Sequence, residues 1–261
     1  MKKFLALSMA ALMAAMLFAG CQNNLPKITV NTAEDLNGLK IGVQSGTTGE
    51  DYVRDNVQDA QLSSFNSGMD AALDLKNGGV DAVLLDELPA KAIVAQNDDL
   101  MVVDIGMEKE EYAIAVKKGN TELLNSINAT LQRIKEDGTF DNLTAAFMPP
   151  EGDDYIVVPE AKATEGEGVL KMGTNAQFKP FEYVNGNEAV GFDISLGQEI
   201  AADLGMKFQL EDMKFESLIS ALDAGSVDFV AAGMTIDAER LESVDFSEPY
   251  YSSTQVVIVR K

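Results

Sequence analysis

GMTIDAER at residues 233–240, followed by FSEPYY at residues 246–251, sets the fold of this chain. It comes directly after DFVAA, a short apolar run between glycines that predicts a buried strand. Residues that follow such a strand lie at the rim of an α/β sheet, where ligands bind. Gly233 lets a ligand approach the backbone, Thr235 offers a hydroxyl, and Arg240 carries a planar guanidinium that suits a carboxylate. The alternative is that Arg240 is a surface residue at a helix N-terminus.

A second copy of this pattern lies nearer the N-terminus. LKNGGVDAVLLD at residues 75–86 echoes LDAGSVDFVAAG at residues 222–233. Two copies of one helix-turn-strand unit predict two similar α/β lobes. Asp86 ends the first copy, where an acid either caps the helix that begins near Leu88 or meets a cation.

A glycine-rich turn, SGTTG at residues 45–49, joins a predicted strand to a predicted helix. Such a turn presents backbone N–H groups and the positive end of the helix dipole, which makes Gly46, Thr47 and Thr48 candidates for holding a carboxylate. Many strand-to-helix turns share this composition, so the pattern has low specificity. The turn lacks the lysine of a nucleotide-binding P-loop, which argues against phosphate.

Two aromatic residues follow other predicted strands. Phe178 lies in NAQFKPFEY and Phe215 in FESLISAL, and each either covers a ligand or fills the core. Spacing alone favours the core. GFDISLGQEIAADLG at residues 191–205 predicts an amphipathic helix with Asp193 as its N-cap.

The N-terminus has the composition of an export signal. Two lysines precede an apolar run that ends in LFAGC, which predicts a signal peptide over residues 1–20. Cys21 is then the lipid-modified first residue of a lipoprotein, followed by a polar tether over residues 21–27. A free thiol after ordinary cleavage is the alternative. The expected location is the outer face of the cell membrane, through the lipid anchor, or the periplasm.

The composition excludes several functions. The chain has 261 residues, 20 basic and 42 acidic side chains, and a formal charge of −22. Removal of the signal peptide leaves 18 basic side chains and a charge of −24. This charge argues against nucleic acid or anionic lipid as partners. Because the chain has no histidine, it cannot use Ser-His-Asp or Cys-His catalysis or a histidine-ligated metal, and we expect no cofactor.

These motifs closely resemble those of the family 3 extracellular solute-binding proteins, which bind amino acids for ABC importers. The resemblance implies a two-lobed α/β fold of the periplasmic-binding-protein type (type II), with the ligand in the cleft between the lobes. It implies that Arg240 holds the ligand's α-carboxylate and that Asp86 receives its α-ammonium group. The full set of implied ligand-binding residues is Arg240, Asp86, Thr48, Thr47, Gly46, Thr235, Gly233, Phe178, Phe215, Asn175 and Gln44.

The resemblance says less about the ligand's side chain. Asn175 stands where relatives that bind basic or amide ligands often carry an aspartate, and Gln44 can add an amide contact. We expect a free polar amino acid, glutamine-like or basic, delivered to an ABC transporter permease. The alternatives are a ligand sensor for a receptor and, less in keeping with the absence of an acid–base pair, a dehydratase-like enzyme.

The order of the motifs differs from that of the family. Moving residues 169–261 in front of residue 28 restores the family order, which predicts a circular permutation. The second lobe is then residues 28–110, and the first lobe is residues 111–148 with 169–261. A linker at residues 149–168 joins the old termini, and a single crossing remains near residues 108–112. We expect a monomer; a swapped dimer is the alternative.

Overall fold

The computed structural model describes residues 25–150, Val157 and residues 166–261. The predicted signal peptide, the lipidation site at Cys21 and most of the predicted linker lie outside these residues. Within the described ranges, no helix combines the length and the apolar composition needed to cross a membrane. The same ranges contain no group of three or more acidic or cysteine side chains placed to hold a metal ion.

The N-terminal part alternates strands and helices after a short 3-10 turn at Ala33–Leu36. Local signals set the helix ends: Ser67 caps a helix by accepting from the N–H of Asp70, and Gly78 ends that helix at φ +80. The elements are β1 (Lys40–Gln44), α1 (Thr48–Asn56), β2 (Gln61–Phe65), α2 (Gly68–Asn77), β3 (Ala82–Asp86), α3 (Glu87–Val94) and β4 (Leu100–Val103).

The remaining part contains two helices before the linker and a second α/β unit after it. A second 3-10 turn lies at Phe215–Ser217. The elements are β5 (Lys109–Tyr112), β6 (Ala115–Lys117), α4 (Thr121–Glu136), α5 (Thr139–Phe147), β7 (Val169–Thr174), β8 (Gln177–Phe178), β9 (Glu182–Asn185), β10 (Glu188–Val190), α6 (Phe192–Asp203), β11 (Lys207–Asp212), α7 (Leu218–Asp223), β12 (Phe229–Val230), α8 (Arg240–Ser243), β13 (Val244–Phe246) and β14 (Tyr251–Arg260).

Two sheets of matching topology form two lobes. One has the order β2-β1-β3-β14-β4, with β5 paired to β14, and we call its lobe the six-stranded lobe. The other has the order β11-β7-β12-β6-β13, and we call its lobe the five-stranded lobe. In both sheets three parallel strands are followed by an antiparallel one. The two-lobed α/β class predicted from the internal echo is confirmed, because β3 and β12 hold equivalent places.

The position of β14 differs from the predicted domain boundaries. Its first residues pair with β5, and its last residues lie between β3 and β4 in the six-stranded lobe. The expectations that residues 169–261 belong wholly to the other lobe, and that a single crossing remains, are therefore wrong. The physical reason is the long-range pairing: β3 and β4 flank β14 on both sides, which buries Val256, Val257 and Ile258 fully in the interior of that sheet. The apolar run ITV at residues 28–30, whose β-branched residues predict a strand, forms none.

Aromatic side chains fill the junction of the two lobes. Tyr112 is fully buried on β5, and its ring lies 5.2 Å from that of Phe181 and 5.6 Å from that of Tyr251. The rings of Phe178 and Phe181 are 5.9 Å apart. This cluster packs against both strands that cross between the lobes, so it forms the floor beneath the cleft.

Helix α6 begins two residues earlier than predicted. Its N-cap is Gly191 at φ +143, where a Cβ would lie 2.1 Å from the carbonyl oxygen of Phe181. Only glycine fits so close to another backbone. Asp193, predicted as the cap, is fully buried inside the first turn. Its carboxylate is therefore free of capping and points to other partners.

Candidate functional site

A cleft between the two lobes collects residues from both. Its empty space, counted out into the solvent at the open mouth, is about 310 Å³. Every predicted ligand residue except Gly46 lines it, and their ligand roles stay predictions. The lining residues are Gln44, Thr47, Thr48, Asp86, Asn175, Phe178, Glu182, Phe215, Ala232, Gly233, Thr235 and Arg240.

Arg240 is buried in the wall of the cleft, with 8% of its surface exposed. One Nη donates to the carbonyl of Thr235 at 2.8 Å, and the other donates to the carbonyl of Gly46 across the cleft at 3.0 Å. Its Nε lies 3.0 Å from the carboxylate of Asp237, and its guanidinium lies 5.5 Å from the ring centre of Phe215. The surface alternative for Arg240 is therefore wrong. The fork retains further N–H donors for a ligand.

Several hydrogen-bonding groups of the glycine-rich turn are already bonded within the protein. Thr47 caps α1: its hydroxyl accepts from the N–H of Glu50 and donates to the carbonyl of Gln44. The N–H of Gly46 donates to the carboxylate of Glu50 at 2.7 Å. Contacts from this turn to an anion must therefore come from other N–H groups of the first helical turn and from the helix dipole.

Asp86 does not cap the helix that follows it. It occupies the N-cap position of α3 without a capping hydrogen bond from its side chain. Instead, the hydroxyls of Tyr112 and Ser253 donate to Oδ1, which turns the carboxylate into the interior. Burial, and secondly the charge of Glu110, raises the pKa of Asp86 to about 6. Among the two alternatives from sequence, the geometry favours an acid that meets a cation.

The cleft is also lined by Glu182, a buried acid that the sequence interpretation missed and that lies next to the buried Asp193. Glu182 is fully buried, and within the described residues neither of its carboxylate oxygens accepts a hydrogen bond. Burial and the neighbouring Asp193 raise the pKa of Glu182 well above its ordinary value. Burial raises the pKa of Asp193 to about 6, and Asp193 accepts from the N–H of Gly233 and the hydroxyl of Tyr250. Burial and the adjacent carboxyl therefore both disfavour the ionised form of Glu182.

A sequence signal for Glu182 was present. It is an acid between two aromatic residues, Phe181 and Tyr183, in a hairpin before the turn at Asn185 and Gly186. Alternation along β9 places Glu182 and Val184 on one face and Tyr183 on the other. Because Val184 is exposed and Glu182 is buried, alternation alone would have predicted the wrong environment.

Direct polar contacts join the two sides of the cleft. The side chain of Gln44 donates to Asn175 at 2.9 Å, so these two predicted ligand residues satisfy each other. The hydroxyl of Ser45 donates to the carboxylate of Glu216. The lobes therefore touch on either side of the cleft, and the structure corresponds to a closed arrangement.

Comparison with known proteins begins with the C-terminal third of the chain. Residues 170–261 match the model of the bacterial extracellular solute-binding proteins, family 3. This part of the chain belongs to that family. Among curated relatives, the arginine-binding extracellular protein ArtP of Bacillus subtilis is 44% identical over 37% of this chain and 38% of ArtP. The L-cystine-binding protein TcyJ of Escherichia coli K12 is 36% identical over 46% of each chain. The chain thus spans less than half the length of either relative in these matches.

Solved structures with similar sequences are also amino-acid-binding proteins. The arginine-bound form of domain 1 from TmArgBP is 39% identical over 36% of this chain and 81% of that domain, with a TM-score of 0.32. An ancestral arginine-binding protein bound to arginine is 48% identical over 32% of this chain and 38% of that chain, also at 0.32. A third, the ancestral amino-acid-binding protein AncCDT-1, is described as a precursor of cyclohexadienyl dehydratase; it is 42% identical over 32% of this chain and 38% of that chain, at 0.32.

Proposed function

We propose that this chain binds a free amino acid with a cationic side chain between its lobes and delivers it to an ABC importer. The observation that carries this proposal is the buried Glu182 that lines the same cleft as Arg240 and Asp86 and has no hydrogen-bond donor among the described residues. A zwitterion with an extra positive charge presents one anion and two cations, and the cleft offers complementary groups for all three.

The α-carboxylate is assigned to Arg240. Its guanidinium is already oriented by Thr235, Gly46 and Asp237, so little side-chain entropy is lost on binding. The N-terminus of α1 adds a positive dipole end from the opposite lobe. Both lobes therefore contribute to one end of the ligand.

The α-ammonium group is assigned to Asp86. A carboxyl with a pKa of about 6 is mostly ionised at neutral pH, and an adjacent ammonium would favour the ionised form further. The backbone of Gly233 and the hydroxyl of Thr235 lie on the other wall of the cleft. This end of the ligand is also shared by the two lobes.

The cationic side chain is assigned to Glu182. A buried carboxylate with no hydrogen-bond donor costs free energy unless it keeps its proton or meets a cation. A guanidinium or ammonium group in the cleft would pair with Glu182 and favour its ionised form. Phe178 and Phe215 would cover the ligand's aliphatic carbons. The acid at residue 182 supplies the negative charge that Asn175 lacks.

Closure follows from this division of contacts. Arg240 and Glu182 belong to the five-stranded lobe, whereas Asp86 and the first turn of α1 belong to the six-stranded lobe. Only the closed state makes every contact, so the ligand stabilises that state by its difference in affinity.

The test is binding of arginine, lysine, ornithine, glutamine and cystine, measured by thermal shift and titration calorimetry. We expect the largest shift with a basic amino acid. Glu182→Gln should reduce the preference for arginine over glutamine, and the matched control Glu188→Gln removes an exposed acid of the same hairpin. Equal preference in wild type and in Glu182→Gln would remove Glu182 from the site.

The location and the chain order are part of the proposal. Export and lipid anchoring at Cys21 are supported by the N-terminal sequence and the extracellular family. Mass spectrometry of the protein from membranes should find a diacylated cysteine; a soluble product without lipid would contradict the anchor.

We also propose the permuted order of the family blocks. In support, Arg260 at the end of β14 donates to the carbonyl of Pro26 at 3.3 Å, so the segments that the family order would join are neighbours in space. Light scattering during ligand titration separates the alternatives. A monomer that binds one ligand supports the permuted monomer, whereas a dimer would favour exchange of lobes between chains.

A further inference from the structure

Glu110 contacts both walls of the cleft from the strand that crosses between the lobes. Its Oε2 accepts hydrogen bonds from the hydroxyl of Thr48 in the six-stranded lobe and from that of Thr235 in the five-stranded lobe, each at 2.8 Å. Both threonines line the cleft, whereas Glu110 lies behind them on β5. One carboxylate oxygen therefore binds one residue from each half of the site.

The direction of these bonds determines what the threonines can offer. A threonine hydroxyl has one proton and two lone pairs, and a carboxylate only accepts. Because each hydroxyl gives its proton to Glu110, each presents lone pairs to the cleft. Thr48 and Thr235 are thus hydrogen-bond acceptors toward a ligand, and the hydroxyl of Thr48 cannot donate to the ligand's carboxylate.

We propose that Glu110 is a positioning residue that makes the cleft selective for an ammonium group by holding the hydroxyls of Thr48 and Thr235 as acceptors. An ammonium group has three donors, and Asp86 together with the two threonine oxygens supplies three acceptors. The inference rests on the proposed amino-acid binding and adds a residue that does not itself touch the ligand.

Glu110 also lies among other groups that affect Asp86. Its charge is the second cause of the raised pKa of Asp86, after burial. The other groups that act on Asp86 are the hydroxyls of Tyr112 on β5 and Ser253 on β14 and the side-chain amide of Gln255 on β14, all of which lower its pKa. Removing the charge of Glu110 would therefore favour ionisation of Asp86, which by itself strengthens binding of an ammonium group. A loss of affinity in a neutral variant would come from the threonines or from the lost attraction between Glu110 and the cation, and Thr235→Val, which keeps the charge of Glu110, separates these two causes.

The experiment uses Glu110→Gln in the full chain, with arginine and its 2-oxo analogue as the two ligands. The amide is neutral and has one accepting oxygen in place of two, so it holds the hydroxyl protons of Thr48 and Thr235 more weakly than the carboxylate does and leaves them freer to turn into the cleft. We expect arginine affinity to fall about tenfold or more, and the ratio of affinities for arginine and the 2-oxo acid to fall with it. A purely structural defect would weaken both ligands equally and leave that ratio unchanged.

The matched control is Glu111→Gln, which neutralises the exposed neighbouring acid on the same strand. It should bind both ligands like wild type. Thr235→Val tests the same contact from the other side and should lower the same ratio. An unchanged ratio in Glu110→Gln, while wild type binds arginine, would overturn the role of Glu110. Failure of wild type to bind any amino acid would instead overturn the proposed function.

Discussion

The two lobes have the same strand order and differ in the residues that come after the third strand. In the six-stranded lobe, β3 ends in a buried carboxylate at Asp86, which receives hydroxyl donors. In the five-stranded lobe, β12 leads to Gly233 and then to the buried Arg240. The backbone N–H of Gly233 donates a hydrogen bond to the carboxylate of Asp193. The same arrangement of strands therefore ends in an acid in one lobe and in a glycine backbone followed by a base in the other. A zwitterion is a ligand that uses both endings at once.

The largest expected effect comes from removing the base. Arg240→Ala leaves a desolvated ligand carboxylate unpaired, and we expect a loss of about 2–5 kcal/mol in binding free energy. Titration calorimetry with the preferred amino acid measures it. Arg54→Ala, which removes an exposed arginine of α1, is the matched control. Unchanged affinity in Arg240→Ala would contradict the contrast between the two lobes, because the base of the five-stranded lobe would then not bind the ligand.

Removing the acid should show itself as a pH dependence of stability. The folded pKa of Asp86, about 6, is above its ordinary value of 3.8, so the folded state binds the proton more tightly than the unfolded state does. The contribution of Asp86 to the free energy of unfolding therefore falls as pH rises from about 4 to about 6 and is constant above that. Over this pH interval, the free energy of unfolding of Asp86→Asn should rise by roughly 2–3 kcal/mol relative to that of wild type.

Urea unfolding of the ligand-free protein at pH 4 and pH 7 checks this prediction. The exposed Asp98→Asn, in the same lobe, should stay parallel to wild type. Ligand affinity should have the opposite trend, since an ammonium group needs ionised Asp86, and wild-type affinity should weaken below about pH 6. A constant difference between Asp86→Asn and wild type across the range would refute the buried acid.

Substitution of Gly233 tests the role of the glycine backbone that follows β12 in the five-stranded lobe. A Cβ at this position would lie 2.6 Å from Cε1 of Phe178, and the residue has φ +53. We expect Gly233→Ala to lower the free energy of unfolding by about 1–3 kcal/mol and to displace Phe178. Gly106→Ala, at φ +73 with open space around it, carries only the backbone cost. Similar unfolding curves for the two variants would show that Phe178 moves freely.

The smallest effect concerns the contacts between lobes that need no ligand. Ser45→Ala removes the exposed hydrogen bond to Glu216, and we expect about 0.5 kcal/mol or less in binding free energy, measured by calorimetry. A loss as large as that of Arg240→Ala would mean that direct contacts between the lobes, and not the ligand, hold the closed state.

Much of the fold could be predicted because its signals are local. The echo of GGVDAVLLD in GSVDFVAAG predicted two similar lobes, and the strand ends placed Asp86 and Arg240 at a sheet rim. The position of β14 could not be predicted, since an apolar run such as QVVIV suits the centre of either sheet equally well. The prediction that Asp193 caps a helix was wrong for a related reason. The partners of its carboxylate, Gly233 and Tyr250, are about forty and fifty-seven residues away in sequence, so no local pattern indicates them.

The residue types available for chemistry can be read from the amino-acid sequence. The absence of histidine, the surplus of acids and the turn and strand-end motifs narrowed the function to binding and named most residues that line the cleft. Their protonation and their direction of hydrogen bonding depend on the tertiary structure. Glu182 becomes a buried acid only where Asp193 packs against it, and Thr48 and Thr235 become acceptors only because the crossing strand brings Glu110 between them. Desolvation and hydrogen-bond direction depend on neighbours distant along the chain, which no local pattern encodes.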